Sequence, residues 1–249
     1  MANDQAGLGI IITHTQNKGG AGKTITGICL ATEFAHRGFN VRVLDCDTNG
    51  HVGIYGEHCD IDNFSVVAGV DQETIIDHVK EARQEGMDFI FIDTPGGTSG
   101  VSLKAISFSQ FNIIPSPVAV FDARDAINTH KTITDLEYGR GSKIPHALLW
   151  TKVETGKKFS KEMSAIENDA SHIEGLDTFR ASTVLRNIFD PMMIHSQSLY
   201  QLAENKEVAK TADKKKQIQL AITNFAQVAD ELLEKLTAAG VIEAEGEAA

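Results

Sequence analysis

Three places in the chain carry residues that could together handle a phosphate group. The first is the run Lys18-Gly19-Gly20-Ala21-Gly22-Lys23-Thr24. Glycines let backbone N–H groups crowd around phosphate oxygens and take positive φ. A helix opening at the end of such a loop adds partial positive charge. In that setting Lys23 would reach the β- and γ-phosphates of a nucleotide, and the Thr24 hydroxyl would ligate Mg²⁺. The second place is Asp45-Cys46-Asp47-Thr48-Asn49-Gly50. The third is the apolar run Phe89-Ile90-Phe91-Ile92 closing in Asp93, followed by Thr94-Pro95-Gly96-Gly97. Asp93 would hold Mg²⁺ through water, since Mg²⁺ keeps much of its hydration. Gly96 and Gly97 would leave the following loop free to sense a γ-phosphate.

These residues need strands behind them and helices in front. Short apolar runs at 10–13, 41–45, 64–67, 89–93, 111–114 and 147–150 predict strands. They lack polar alternation, which suits strands covered on both faces. Helical patterns lie between them, at 24–37, ending on Gly38 as a C′ residue, and at 72–85. Asp190-Pro191 reads as an N-cap followed by proline at the first helical position. A last helix over 211–236 presents Ile218, Ile222, Phe225, Ala229, Leu232 and Leu236 on one face. The order predicts an α/β fold with a doubly wound, mostly parallel sheet flanked by helices, the P-loop NTPase architecture. One domain over 1–236 is expected, with an acidic, disordered tail at 237–249.

The usual GxxxxGK[ST] pattern fails at its first position, Asn17, and an extra lysine, Lys18, stands near the loop's start. This KGGxGK[ST] form is the deviant Walker A signature, and the chain resembles the ParA/MinD family of ATPases. The resemblance implies ATP held by Gly19, Gly20, Ala21, Gly22, Lys23 and Thr24, with Lys18 reaching across a dimer to the partner's nucleotide. Ile25 stands where the family often has a second threonine on the α-phosphate. The segment 45–50 is similar to the family's DxDPQG, with Thr48 for proline and Asn49 for glutamine. By that likeness Asp47 would position or polarise the attacking water, and Asp45 would support the Mg²⁺ shell. The stretch from Pro115 to Asp122 resembles IPxxPxxxD, whose aspartate lies near the dimer interface. Thr151 and Lys152 stand where relatives contact base or ribose, although plain loop polar residues read the same way. The resemblance covers about residues 8–236, in the small form without an N-terminal helix-turn-helix. Residues 93–97 also look like the VirC-type ATPases of DNA transfer systems.

The resemblance implies slow, partner-stimulated ATP hydrolysis, an ATP-dependent homodimer, a stimulating adaptor protein and a positioned cargo such as a plasmid. It also implies DNA binding without sequence preference. A net charge of −11 opposes DNA binding by bulk attraction, so a local patch completed by two subunits would be needed. The candidates are Arg186 with Lys206, Lys210, Lys214, Lys215 and Lys216, together with Arg180. Lys152, Lys157, Lys158 and Lys161 form a second basic stretch. Glu204, Glu207 and Asp213 dilute the first cluster, and a solvated helix face explains it equally well. A MinD-like membrane cycle is the first rival. Asp230, Glu231 and Glu234 beside the last helix's apolar stripe count against it. A nucleotide-bound scaffold of a DNA-transfer system is the second. A third, metabolic class lacks accessory motifs: no paired cysteines follow Asp93. Cys46, His51, His58 and Cys59 do not fit zinc, because adjacent His58 and Cys59 break ligand spacing. Three cysteines form no disulfide framework, and MANDQAGLG has neither the basic start nor the apolar stretch of a signal peptide. The cytoplasm is the expected location, with nucleoid association where DNA is bound.

Overall fold

The computed structural model describes residues 9–153, 161–184 and 187–243. Seven strands form one sheet: β1 Ile10–His14, β2 Val41–Asp45, β3 Phe64–Val67, β4 Phe89–Asp93, β5 Phe111–Pro117, β6 His146–Thr151 and β7 Asp177–Thr178. Their spatial order is β3-β2-β4-β1-β5-β6-β7, and every pairing is parallel. Successive residues of one strand enter different cores. Ile10 and Ile12 pack with α1 (Lys23–His36) and α9 (Ala212–Ala238), while Ile11 packs with α3 (Ile75–Gln84). Both faces of the central strands are therefore apolar, which is why β4 reads Phe-Ile-Phe-Ile without polar alternation.

The helices divide between the two faces. On the α1 face lie α7 (Phe189–His195), α8 (Leu199–Glu204) and α9. All six stripe residues of α9 are buried in that core, at 8% exposure or less. The opposite face carries α3, α4 (Gly100–Phe108), α5 (Val120–Arg140) and α6 (Lys161–Ser171). The remaining helix, α2 (His51–His58), lies beside β3 and packs Val52 and Tyr55 into the α1-side core.

Several boundaries differ from the sequence reading for identifiable reasons. Strand β5 runs on through Pro115 to Pro117. Their missing N–H groups lie on the side of β1, which has already ended opposite Ile113. The helix expected from 72 begins at Ile75, because Asp71 Oδ1 accepts the Glu73 and Thr74 N–H groups in a turn. Ile188, not Asp190, caps α7, and Pro191 occupies its third position, where no intrahelical donor is needed. Helix α9 continues to Ala238, and Val241 and Ile242 pack onto the core beyond it. Residues 244–249 of the expected tail lie outside the described residues.

Candidate nucleotide site

The three candidate segments meet at the C-terminal edge of the sheet. Register places His14, Asp93 and Asp45 side by side on β1, β4 and β2. The loop between β1 and α1 turns through Gly20 at φ +78° and Gly22 at φ +95°, conformations that favour glycine. Gly22 is the N-cap of α1, so the helix's positive end faces the loop. Gly96 closes on the same loop: a Cβ there would lie 3.4 Å from the Gly19 backbone. A cleft of about 670 Å³ opens between these segments. Gly19, Gly20, Gly22, Lys23, Thr24, Ile25, Asp47, Gly96 and Lys152 all line it.

Lys23 is buried at 6% exposure, its Nζ 3.4 Å from the carbonyls of Gln16 and Lys18. Burial pulls its pKa down, opposed by the charges of Asp93 and Asp47. The Thr24 hydroxyl donates to Asp93 Oδ2 at 2.7 Å, and Asp93 Oδ1 is buried without a hydrogen-bond partner. Burial pushes Asp93 up to about 7; the Thr24 bond and Lys23 oppose the shift, and Asp45 and Asp47 add to it. A hydroxyl beside a carboxylate with one unpaired oxygen is an all-oxygen donor set, which fits Mg²⁺.

Asp45 acts differently. Its Oδ1 accepts the Asp47 N–H at 3.0 Å and its Oδ2 the Gly53 N–H at 2.8 Å. It thereby shapes the loop that presents Asp47. Asp47 faces the cleft with Oδ1 accepting from the Asn49 backbone and side chain at 3.0 and 2.9 Å. Ile25 packs against the α1-side core while lining the cleft.

Thr151 and Lys152 come to the loop itself. Thr151, 1% exposed, donates its hydroxyl to the Ala21 carbonyl at 2.8 Å. Lys152, at φ +56°, donates Nζ to the Gly20 carbonyl at 2.6 Å. Both brace the loop from β6. Lys18 points the other way: it is 46% exposed and paired with Asp122 of α5 at 2.6 Å. Sequence reasoning missed Gln16, Thr129 and Thr98, which tie the front of the loop to α5 and to the loop after β4.

Lys206, Lys210, Lys215 and Lys216 are exposed and Lys214 is half-buried, the last three in the first turns of α9. Arg180 is engaged by Glu231 and Glu234. Arg186, Lys157 and Lys158 lie outside the described residues, and Lys161 begins α6. Among the described residues no group of three or more His, Cys, Asp or Glu is arranged around a metal. Burial pushes the Cys46 thiol up to about 12. No described helix is long and apolar enough to cross a membrane.

A parallel sheet whose first loop wraps a buried lysine at the start of a helix is the arrangement of a P-loop protein, and its likenesses are to the ParA/MinD type. A family model described as VirC1 protein matches residues 10–238, and the chain belongs to that family. It is 29% identical over 231 residues to Protein ParA of Rhizobium radiobacter, covering 92% of this chain and 98% of that one. Its fold matches the MinD cell division protein of Aquifex aeolicus at TM-score 0.65 and 16% identity, covering 90% and 97% of the two chains. A plasmid partition protein of Borrelia burgdorferi bound to AMPPNP matches at TM-score 0.61 and 15% identity, over 91% and 99%.

Proposed function

We propose that this protein is an ATPase that pairs face to face on Mg-ATP, binds DNA without sequence preference, and resets on hydrolysis stimulated by an adaptor protein. The cycle would position a cargo such as a plasmid. The observation that carries the reading is the division of labour between two lysines. Lys23 lies buried inside the loop, where it would hold the β- and γ-phosphates. Lys18 lies outside, half exposed, and Asp122 of its own chain is its ion-pair partner. To serve a nucleotide bound by a second subunit, this rim cation would exchange Asp122 for phosphate.

The backbone of Gly19–Gly22, Lys23 and the positive end of α1 would bind the phosphates. Thr24 and Asp93 would hold Mg²⁺, with Asp45 shaping the loop beside them; bound there, the ion neutralises charge on the phosphate oxygens. Asp47, aimed into the cleft, would orient the attacking water. The likeness to Protein ParA and to a partition protein solved with AMPPNP supports both nucleotide and cargo.

For DNA, the support is the start of α9. Lys214, Lys215 and Lys216 lie in its first two turns, beside Asp213, with Lys215 and Lys216 exposed. Cations kept at that end suit an anionic ligand. The apolar stripe of α9 is covered by the core, so that face is not the one a membrane-cycling reading would use. The test is Lys18→Ala. It should weaken Mg-ATP-dependent self-association, measured by light scattering, while a fluorescent ADP analogue still binds. An identical dimer with and without nucleotide, unchanged by Lys18→Ala, would refute the reading.

A further inference from the structure

The two halves of the phosphate loop are held by different elements. The back half rests on β6, through Thr151 to the Ala21 carbonyl and Lys152 to the Gly20 carbonyl. The front half rests on α5. Gln16, 1% exposed, accepts the Thr129 hydroxyl and the Asn17 N–H on Oε1, each at 2.8 Å. Its Nε2 reaches the Pro115 carbonyl at 3.4 Å. Thr129, also 1% exposed, takes the same Asn17 N–H at 3.3 Å. Seven residues earlier, Asp122 takes Lys18. That spacing is about two helical turns, so both side chains project from one face of α5. The Thr98 hydroxyl, from the loop after β4, donates to Asn17 Oδ1 at 3.1 Å.

A buried amide and a buried hydroxyl are costly unless paired. Here they pair with each other and with the backbone immediately before Lys18. Nucleotide chemistry does not require them there, since the cradle runs from Gly19 to Thr24.

We propose that Gln16 and Thr129 are positioning residues for Lys18: their hydrogen bond clamps the front of the loop to α5 and fixes the point from which Lys18 reaches outward. Lys18 is a long, flexible side chain, so its reach depends on where its backbone is held. The proposed action of Lys18 across a dimer rests on the function argued above; the clamp itself is a property of the single chain. Thr129 can also give its proton to the Asp125 carbonyl, 3.0 Å away on its own helix. The clamp therefore has an open alternative on α5.

The experiment compares Thr129→Val, Thr129→Ser and Gln16→Met in the full chain. Hydrogen exchange of the nucleotide-free protein reads the clamp directly. Thr129→Val should speed exchange in peptides covering 15–19 by about tenfold, the worth of one hydrogen bond, and leave peptides covering 22–30 within about twofold. A fluorescent ADP analogue should lose less affinity than self-association does, because Gly20–Thr24 are unchanged and only the Gln16 and Lys18 carbonyls that Lys23 touches are loosened. Self-association on Mg-ATP should weaken as far as it does in Lys18→Ala, and Thr129→Ser should restore it. Unchanged exchange at 15–19 overturns the proposal, and so does equal loss of ADP binding and association. If Thr129→Val does not fold, Gln16→Met removes the other end of the same bond, and unchanged exchange at 15–19 there is equally decisive. Should the parent protein fail to associate on Mg-ATP, the dimer reading falls while the exchange result still decides the clamp.

Discussion

Replacing Asp93 with Asn should make the metal-free protein more stable at pH 8 and change it little at pH 4. Asp93 is 3% exposed, and only one of its oxygens has a hydrogen-bond partner. Burial pushes its pKa from the ordinary 3.8 up to about 7. Between those values the folded chain keeps a proton that the unfolded chain has released. Stability therefore falls as pH rises through that window, by about 1.4 kcal/mol per pH unit. The interval is roughly three pH units, so the ionised carboxylate costs about 4 kcal/mol above pH 7. Asn cannot ionise, resembles the protonated acid in shape, and can still accept the Thr24 hydroxyl. The gap between variant and parent should widen by roughly 2–3 kcal/mol from pH 5 to pH 8. For a chain of this length that is about 4–12 °C in Tm. Chemical and thermal denaturation of both proteins in chelator measures it. His14, whose pKa burial and Lys23 pull down to about 3, has no contribution from Asp93, so its own pH dependence is common to both proteins. The same variant should lose Mg²⁺-dependent gain in nucleotide affinity. A gap that stays constant between pH 5 and pH 8 would show that Asp93 is not held as a buried, raised carboxyl.

Four further variants have expected outcomes. Lys23→Ala should abolish nucleotide binding, while Asp47→Ala should bind and self-associate but lose turnover; normal turnover in Asp47→Ala would move the water-orienting role elsewhere. Gly56→Ala should destabilise the α2–β3 contact by about 1–3 kcal/mol, read as a lower denaturant midpoint. A Cβ on Gly56 would lie 2.4 Å from Val66 Cβ, a branched side chain with little room to move. The triple change Lys214→Ala, Lys215→Ala, Lys216→Ala should weaken DNA binding and flatten the log-affinity against log-salt slope by up to about three, measured by anisotropy at several salt concentrations.

The sheet was legible where burial on both faces left continuous apolar runs. The strand at 89–93 is such a run; 41–45 and 64–67 were also placed at their observed bounds, although Arg42 and Ser65 interrupt them and β3 is a half-buried edge strand, and α1 stops before Gly38, at φ +91°. Helix α5 was not legible, although it is 21 residues long. Its inward positions include Ala123, Ala126, Thr129, His130, Ile133 and Glu137. Their spacing is helical, but half of them are polar, so no apolar stripe stands out. They are polar because of what lies beneath: Thr129 meets Gln16, His130 meets His146 at 2.8 Å, and Glu137 takes the Ile144 N–H at 2.9 Å. Helix α8, also unread in the sequence, opens on a Ser198 to Gln201 capping box whose two reciprocal bonds both form.

The site divides along the same line. Binding a phosphate needs a tight turn, a helix end and a lysine, all supplied by consecutive residues, so 18–24 declares itself. What holds that loop comes from far along the chain. Gln16 and Thr129 are separated by 113 positions, Thr151 and Ala21 by 130, and each is a common polar residue in a run with no distinctive spacing. Likeness put Thr151 where relatives meet base or ribose, with a plain polar residue as the other reading; it is the last residue of β6. Its buried hydroxyl instead serves the backbone of the loop. Asp122 was placed near an interface by likeness, and its observed partner, Lys18, is the residue assigned to that interface. A helix that grips Lys18 at one position and the loop's backbone two turns later couples the rim of the site to the face of the sheet. Sequence motifs record the groups that touch phosphate. The groups that decide where those residues stand are recorded only in the packing of α5 and β6 around them.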